Sequence, residues 1–242
     1  MLPIRINFSV TRWFFCLALV FISGGLTAQS PPGTIGGWTM FNSIARFTNH
    51  WSAGIDCQFR SYTVVPDAEQ ILLRGGVNYH PHENAMVTGG YANISNYAYD
   101  KSTTPGMTVN EHRIWQQLQL RQVIGRFTLE HRYRLEQRWL NSEAPTQYKT
   151  RVRYLFRFTI PFKGKTVEPG VFFFSGYDEV FLHFSAAQFD RNRLYTAMGY
   201  QFTKGSNMQL GGLMQTVGTV SKFYLQVMYV HNLDLRKEKP AP

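Results

Sequence analysis

Residues 126–139, RFTLEHRYRLEQRW, decide the fold of this chain. The odd-numbered positions, from Phe127 to Trp139, are mostly apolar or aromatic, whereas the even-numbered positions are mostly arginine or glutamate. Successive side chains of a β-strand point to opposite faces, so this period of two predicts a strand with one apolar and one charged face. A helix would scatter the four arginines and two glutamates of the segment around every side.

The same alternation recurs along the chain, in segments separated by turn residues. The predicted strands are 36–48, 51–63, 70–80, 85–99, 111–123, 126–139, 148–162, 166–184, 189–202, 206–216 and 220–235. These are eleven segments, whereas a single-chain bacterial outer-membrane barrel has an even number of strands. We therefore expect ten or twelve strands, because either 166–184 is two strands broken at Ser175-Gly176-Tyr177 or 36–48 lies outside the wall.

The connections between the predicted strands fall into two classes. Short turns, such as Lys163-Gly164-Lys165, alternate with mostly longer connections, such as 100–110 and 217–221. Outer-membrane barrels show this alternation, with tight turns on the periplasmic side and longer loops outside. The pattern therefore favours an up-and-down barrel.

The hairpin formed by residues 111–139 allows a prediction of cross-strand partners. With Ile124-Gly125 as a two-residue turn, opposite charges on the polar face would face one another across the two strands. The predicted partners are Arg113 with Glu136, Glu111 with Arg138, and Gln119 with Glu130. A different turn would shift this register.

An all-β chain with two-faced strands is either a soluble sandwich or a membrane barrel. The apolar faces are rich in aromatic residues (19 Phe, 13 Tyr and 5 Trp in the chain), as in the aromatic girdles of membrane barrels. Several segments match the roughly 9–11 residues of a tilted spanning strand. The polar face carries arginine, glutamate and glutamine, and an arginine facing lipid would cost about 2–4 kcal/mol. We therefore expect a transmembrane antiparallel β-barrel whose lumen is filled by Arg and Glu side chains.

The first residues of the chain have the features of an export signal. Arg5 and Arg12 precede an apolar run at 13–22, and Gly24-Gly25-Leu26-Thr27-Ala28 provides a small-residue cleavage site. The run is short for a retained helix, which needs about 20 apolar residues. We expect a cleaved signal peptide at 1–28, a barrel at 29–235 and a polar C-terminal tail at 236–242.

Two motifs carry a resemblance to a known family. Residues 111–117, EHRIWQQ, and 131–138, HRYRLEQR, resemble a bacterial family catalogued as domain of unknown function 2490, and further similar motifs follow later in the chain. The resemblance covers nearly the whole mature chain and implies an outer-membrane β-barrel. It implies no activity and no catalytic residues.

Charged residues of the inward faces form the main candidate site, which we call the lumen charge network. Its predicted members are Arg60, Glu111, Arg113, Arg121, Glu130, Arg132, Arg134, Glu136, Arg138, Arg151, Arg153, Arg157, Glu179 and Arg193. One interpretation is a salt-bridged plug, since unpaired charges in a dry lumen are costly. The other is an anion-preferring pore, since arginines outnumber acids. We favour the plug, because bulky side chains would occlude a lumen of this size.

Catalysis is the third hypothesis, since some barrels modify lipids. The candidate nucleophiles are Ser175 and Ser221, with His183 or His231 as the base, but no elbow motif surrounds either serine. The predicted alternation also puts His231 on the lipid face. We therefore expect no enzyme activity.

A metal or cofactor is not expected either. His80 and His82 flank Pro81, and Glu83 follows, which gives a loose cluster of possible metal ligands. A polar turn is the commoner explanation of such a cluster. We expect no metal and no cofactor.

The chain as a whole is basic, with a formal net charge of +10. For an exported protein this charge suits anionic lipid rather than nucleic acid. The sequence thus predicts a monomer in the cell outer membrane that contacts lipid and lipopolysaccharide, with a structural or scaffold role and no nucleic-acid partner.

Overall fold

A computed structural model describes residues 34–64, 67–99, 107–142, 145–184 and 188–236. The predicted signal peptide at 1–28 lies outside the described residues, as do residues 237–242 of the predicted tail. In the part described, no helix is long and apolar enough to cross a membrane.

The described residues form eleven β-strands. They are β1 (Gly36–Arg46), β2 (Trp51–Ser61), β3 (Ala68–His82), β4 (Ala85–Tyr97), β5 (Met107–Ile124), β6 (Phe127–Asn141), β7 (Gln147–Pro161), β8 (Phe172–His183), β9 (Gln188–Gln201), β10 (Ser206–Val217) and β11 (Val220–Asp234). Each predicted segment corresponds to one strand. The largest differences in bounds are at the starts of β5 and β8.

The strands close into one barrel. Each strand pairs antiparallel with the next along the chain, and β1 pairs in parallel with β11 to complete the circle. The expected count of ten or twelve was wrong for the described chain, because β1 pairs with both β2 and β11 and 172–183 is a single strand. In an up-and-down barrel with an odd number of strands, the first and last strands run in the same direction. They can therefore close it only by parallel pairing.

The β5–β6 hairpin shows why the predicted register was wrong. Ile124 pairs with Phe127, so the turn is Gly125-Arg126 rather than Ile124-Gly125. Gly125 has a φ of 62°, the left-handed value that tight hairpin turns require and glycine adopts without strain. The change moves the pairing by two positions, which keeps every side chain on its predicted face.

Two connections differ from the predicted alternation of short and long. The predicted short turn Lys163-Gly164-Lys165 is part of a ten-residue connection, 162–171, which is closed by a 2.8 Å hydrogen bond from the Phe162 N–H to the Phe172 carbonyl. At the opposite end of the barrel, β10 and β11 are joined by a two-residue turn at 218–219 instead of a longer loop. Neither change alters the order of the strands.

Burial is inverted relative to a soluble domain. Among the described residues, buried polar and charged side chains outnumber buried hydrophobic ones, and large exposed hydrophobic side chains outnumber the large buried ones. Along β5, for example, Arg113, Trp115 and Gln117 are buried while Ile114 and Leu118 are exposed. The polar face of each strand therefore points into the barrel.

Candidate functional site

The barrel encloses a cavity of about 570 Å³. Its lining includes side chains from near both ends of the barrel, such as Ile44 and Asn232 at one end and Leu140 and Val109 at the other. Most of the predicted charge network lines it as well. The cavity residues from that network are Arg60, Glu111, Arg113, Glu130, Arg132, Arg134, Arg138, Arg151, Arg153, Arg157, Glu179 and Arg193.

Glu136 is the centre of the charged cluster and is fully buried. Its Oε1 accepts hydrogen bonds from Arg153 (2.6 Å) and Arg113 (3.1 Å), and its Oε2 accepts two from Arg151 (2.7 and 2.9 Å). The four donor groups come from β5 and β7, on either side of β6. One carboxylate therefore joins three neighbouring strands on their inner faces.

Glu179 on β8 is the second centre. Its Oε1 accepts hydrogen bonds from Arg153 (2.6 Å) and Arg132 (2.8 Å), while Arg193 lies 3.8 Å from its Oε2. Arg153 thus donates to both Glu136 and Glu179. Because charge-assisted bonds to arginine are directional, this chain of contacts fixes the inner faces of β6, β7 and β8 relative to one another.

Glu111 on β5 holds two arginines. Arg138 donates to both of its oxygens (2.7 and 2.8 Å), and Arg113 donates to its Oε1 (2.7 Å). The predicted partners Glu111 with Arg138 and Arg113 with Glu136 are therefore in contact, although they are diagonal neighbours rather than directly opposite. Long side chains on the same face of a sheet can reach a diagonal neighbour. Gln119, by contrast, lies opposite Arg132 and not Glu130.

Two predicted members stand apart from this cluster. Arg121 is exposed, lies opposite Glu130 and does not line the cavity. Arg157 lies 3.8 Å from Glu130, near the end of the barrel that carries the 125–126 turn. Arg121 is near a rim, where the strand alternation continues but the barrel no longer encloses the side chain, whereas Arg157 is partly buried and still lines the cavity.

Sequence reasoning missed several charged contacts. Asp190 accepts hydrogen bonds from Arg151 (2.8 Å) and Arg191 (3.2 Å), and Asp56 pairs with Arg74. Asp56 shares a face with Arg60 in the predicted strand 51–63, so the alternation could have revealed it. Asp190 lay at the boundary of a predicted loop, where the alternation could not assign its side chain to either face of the strand.

The interior side chains of β5 to β8 differ in composition from those on the other side of the barrel. We call Glu111, Arg113, Glu136, Arg138, Arg151, Arg153 and Glu179, on β5 to β8, the glutamate arc. We call Trp38, Gln58, Arg60, Arg193, Gln215 and Gln226, on β9 to β11 and on β1 and β2, the glutamine arc. All these side chains are buried.

Two arginines of the glutamine arc stack on one tryptophan. The guanidinium carbons of Arg60 and Arg193 lie 3.5 and 4.9 Å from the centroid of the Trp38 ring. The Arg60 Nη2 donates to the Gln58 Oε1 at 3.3 Å, and the Arg193 Nε donates to the Gln215 Oε1 at 2.9 Å. Amide oxygens thus replace the carboxylates of the glutamate arc.

An acidic residue near this arc is already engaged by other partners. Glu69 accepts a hydrogen bond from Lys222 on one oxygen (2.8 Å) and from the Tyr224 hydroxyl on the other (2.7 Å). In the adjacent connection, burial together with Glu69 and Asp67 raises the pKa of Tyr62 to about 12. The Tyr62 hydroxyl therefore stays protonated at neutral pH.

The structure does not bring the candidate serines and histidines together as nucleophile and base. Ser175 is buried against Thr159, and Ser221 contacts Thr216 at 2.8 Å. His183 lies 3.9 Å from Asp190, and His231 contacts a different serine, Ser206, through Nδ1 at 2.7 Å. Ser206 and His231 are directly opposite on β10 and β11, so this contact is an ordinary cross-strand pair.

His80 and His82, the loose cluster of possible metal ligands, also have separate partners. His80 contacts Ser52 through Nε2 at 2.8 Å, whereas His82 Nδ1 accepts from the Asn84 N–H within the turn. In the described ranges, no group of three or more His, Cys, Asp or Glu residues could hold a metal ion.

These features define a class: a closed all-β barrel with a charged interior and an apolar outer surface. The chain belongs to the family described as protein of unknown function (DUF2490), whose model matches residues 35–224. The resemblance predicted from the sequence is therefore confirmed. No curated protein and no solved structure matches the chain.

Proposed function

We propose that this protein is an integral β-barrel of the bacterial outer membrane with a structural or scaffold role and a plugged lumen. The observation that carries the proposal is the inverted burial described above, with charges inside and large apolar side chains outside. Monomeric soluble proteins rarely expose apolar patches larger than a few hundred Å². An outer face that is apolar around the barrel suits lipid, and the signal peptide predicted from the sequence suits export.

Aromatic pairs at both ends of the barrel support the membrane orientation. Trp51 and Tyr79 lie with ring centroids 5.0 Å apart near one end, and Trp139 and Tyr148 lie 5.4 Å apart near the other. Such aromatic residues are typical of the two girdles that flank the apolar band of a membrane barrel. In this proposal the protein is a monomer whose barrel axis crosses the bilayer. Its outer face contacts lipid and lipopolysaccharide.

The packed interior supports a structural role over transport. Phe181 is fully buried and has the guanidinium groups of four arginines (Arg151, Arg153, Arg191 and Arg193) within 4.3 to 6.0 Å of its ring. Together with Glu136 and Glu179, these side chains occupy the β6–β9 side of the lumen. The arrangement braces the wall and requires no catalytic chemistry.

The membrane proposal can be tested at one outward position. Leu210 is 56% exposed in the middle of β10. Leu210→Arg should lower the free energy of unfolding from lipid vesicles by about 2–4 kcal/mol if this face meets lipid. Ser142→Arg, in the exposed connection after β6, is the matched control and should change it little. Equal effects of the two substitutions would sink the membrane assignment.

A small anion-preferring pore is the second candidate. It is favoured by the cavity, which has lining residues near both ends and more arginines than acids. Conductance of the purified protein in planar bilayers separates the two candidates. A plugged barrel gives no steady channel steps, whereas reproducible anion-selective steps would replace the structural proposal with the pore.

A further inference from the structure

We propose that the lumen contains a binding site for a small oxyanion, a phosphate or a carboxylate, held by Arg60 and Arg193 beside Trp38. This inference goes beyond the structural role. It holds whether or not the lumen conducts ions, since a site that binds an anion tightly can lie in a blocked barrel.

The first observation is that two like charges share one ring. Arg60 and Arg193 come from β2 and β9, which are separated by three strands, yet both guanidinium groups lie within 5 Å of the Trp38 centroid. Two cations in contact with one aromatic ring repel each other. Stacking on tryptophan offsets part of this repulsion, and an anion between them would remove most of it.

The second observation is the shortage of carboxylates at this place. Arg60 is 5% exposed, its Nε has no hydrogen-bond partner, and no described acidic residue forms an ion pair with it. Arg193 reaches Glu179 only at 3.8 Å, and that carboxylate already accepts hydrogen bonds from two other arginines. Buried charges without a partner are rare because they are costly, and here Arg60 has no carboxylate partner while Arg193 shares a distant one.

The Trp115 ring on β5 offers a comparison, in which one of two arginines near the ring has a hydrogen-bonded carboxylate partner. Arg74 and Arg134 lie 5.5 and 4.6 Å from the Trp115 centroid, which repeats the arrangement of two arginines on one ring. There, however, Arg74 is paired with Asp56. At Trp38 no described carboxylate forms an ion pair with Arg60, and a bound oxyanion would take that place.

The cavity gives the anion space and a route. Trp38, Arg60 and Arg193 all line it, and its volume of about 570 Å³ is within the range of small-molecule sites. The planar donor groups of arginine match the oxygens of phosphate and carboxylate, so these are the chemical classes we expect.

The test is a calorimetric titration of the folded mature protein in a zwitterionic detergent and chloride buffer, with inorganic phosphate as the probe. We expect saturable binding of one phosphate per chain, weakened roughly tenfold or more in Arg60→Gln and in Arg193→Gln. Arg121→Gln removes the same charge from an exposed arginine outside the cavity and should bind as the unaltered protein does. Acetate and glycerol phosphate titrated in parallel identify whether the site takes a carboxylate, a free phosphate or a phosphate ester.

Two outcomes would overturn the site. One is the lack of saturable binding for all three probes. The other is equal weakening in Arg60→Gln and Arg121→Gln, which would mean that only the net charge matters. Folding of each variant is checked by its heat-dependent migration on gels, and Arg193→Gln provides a second variant if Arg60→Gln does not fold. Because binding is measured in detergent, the result is independent of the conductance and lipid tests of the proposed function.

Discussion

The glutamate arc and the glutamine arc place arginines in the same barrel interior but neutralise them differently. In the glutamate arc, Arg153 donates to two carboxylates, and Glu136 receives three arginines. In the glutamine arc, Arg60 and Arg193 donate to amide oxygens and lie against the Trp38 ring, and only Arg193 reaches a carboxylate, at 3.8 Å. The difference teaches that one side of the barrel is complete as folded, whereas the other retains positive charge that a ligand can use.

The largest expected effect is at the centre of the glutamate arc. Glu136→Gln leaves Arg113, Arg151 and Arg153 together without their shared carboxylate, and should lower the free energy of unfolding by about 3–5 kcal/mol. Urea titration of the protein folded in vesicles measures it. Glu83→Gln, in the exposed turn after β3, is the control and should have little effect. If Glu136→Gln were as mild as the control, the two arcs would not differ in how their charges are held.

A second, smaller effect tests whether the glutamate arc acts through pairing. Glu111→Gln leaves Arg138 buried without its carboxylate, and adding Arg138→Gln removes the charge that was stranded. The double variant should regain about 1–3 kcal/mol of unfolding free energy relative to the single variant. Combining Glu111→Gln with Arg121→Gln restores the same net charge at an exposed site. If Glu111→Gln with Arg121→Gln regained the same unfolding free energy, the effect would depend on the net charge and not on the Glu111–Arg138 pair.

The alternation of polar and apolar residues was sufficient to predict much of the glutamate arc. Both faces of β6 could be assigned because each residue of 126–139 is clearly apolar or polar. The pairs Glu111–Arg138 and Arg113–Glu136 were named correctly even with a wrong register, because a shift of two positions keeps the face. The position of Arg121 was not predictable, since alternation assigns a face and says nothing about how far the enclosing wall extends.

In the glutamine arc the expected effects are smaller. Gln215→Leu removes the acceptor of the Arg193 Nε, which leaves a buried donor unpaired at a cost of about 1–3 kcal/mol. Thermal unfolding in detergent, with and without phosphate, measures this. Phosphate should restore part of the loss if the anion site exists. A loss that phosphate leaves unchanged would separate Gln215 from that site.

The smallest effect is expected at Gln226, which is 1% exposed and whose Oε1 has no hydrogen-bond partner. Gln226→Leu keeps the approximate volume and should change the free energy of unfolding by less than about 1 kcal/mol. Gln215→Leu is the matched comparison on the neighbouring strand. A large loss in Gln226→Leu would show that the glutamine arc depends on a polar network as strongly as the glutamate arc does.

By itself, the sequence determined the strand class, the two faces of each strand and the family, because all three depend on local order along the chain. The closure of eleven strands by a parallel β1–β11 pair was decided only by the tertiary structure, since nothing local states which edges meet. The same holds for Arg60 and Arg193, which are far apart in sequence and share Trp38 only because the sheet curves into a circle. Alternation gives each side chain a direction, but only closure of the barrel gives it a neighbour across the interior.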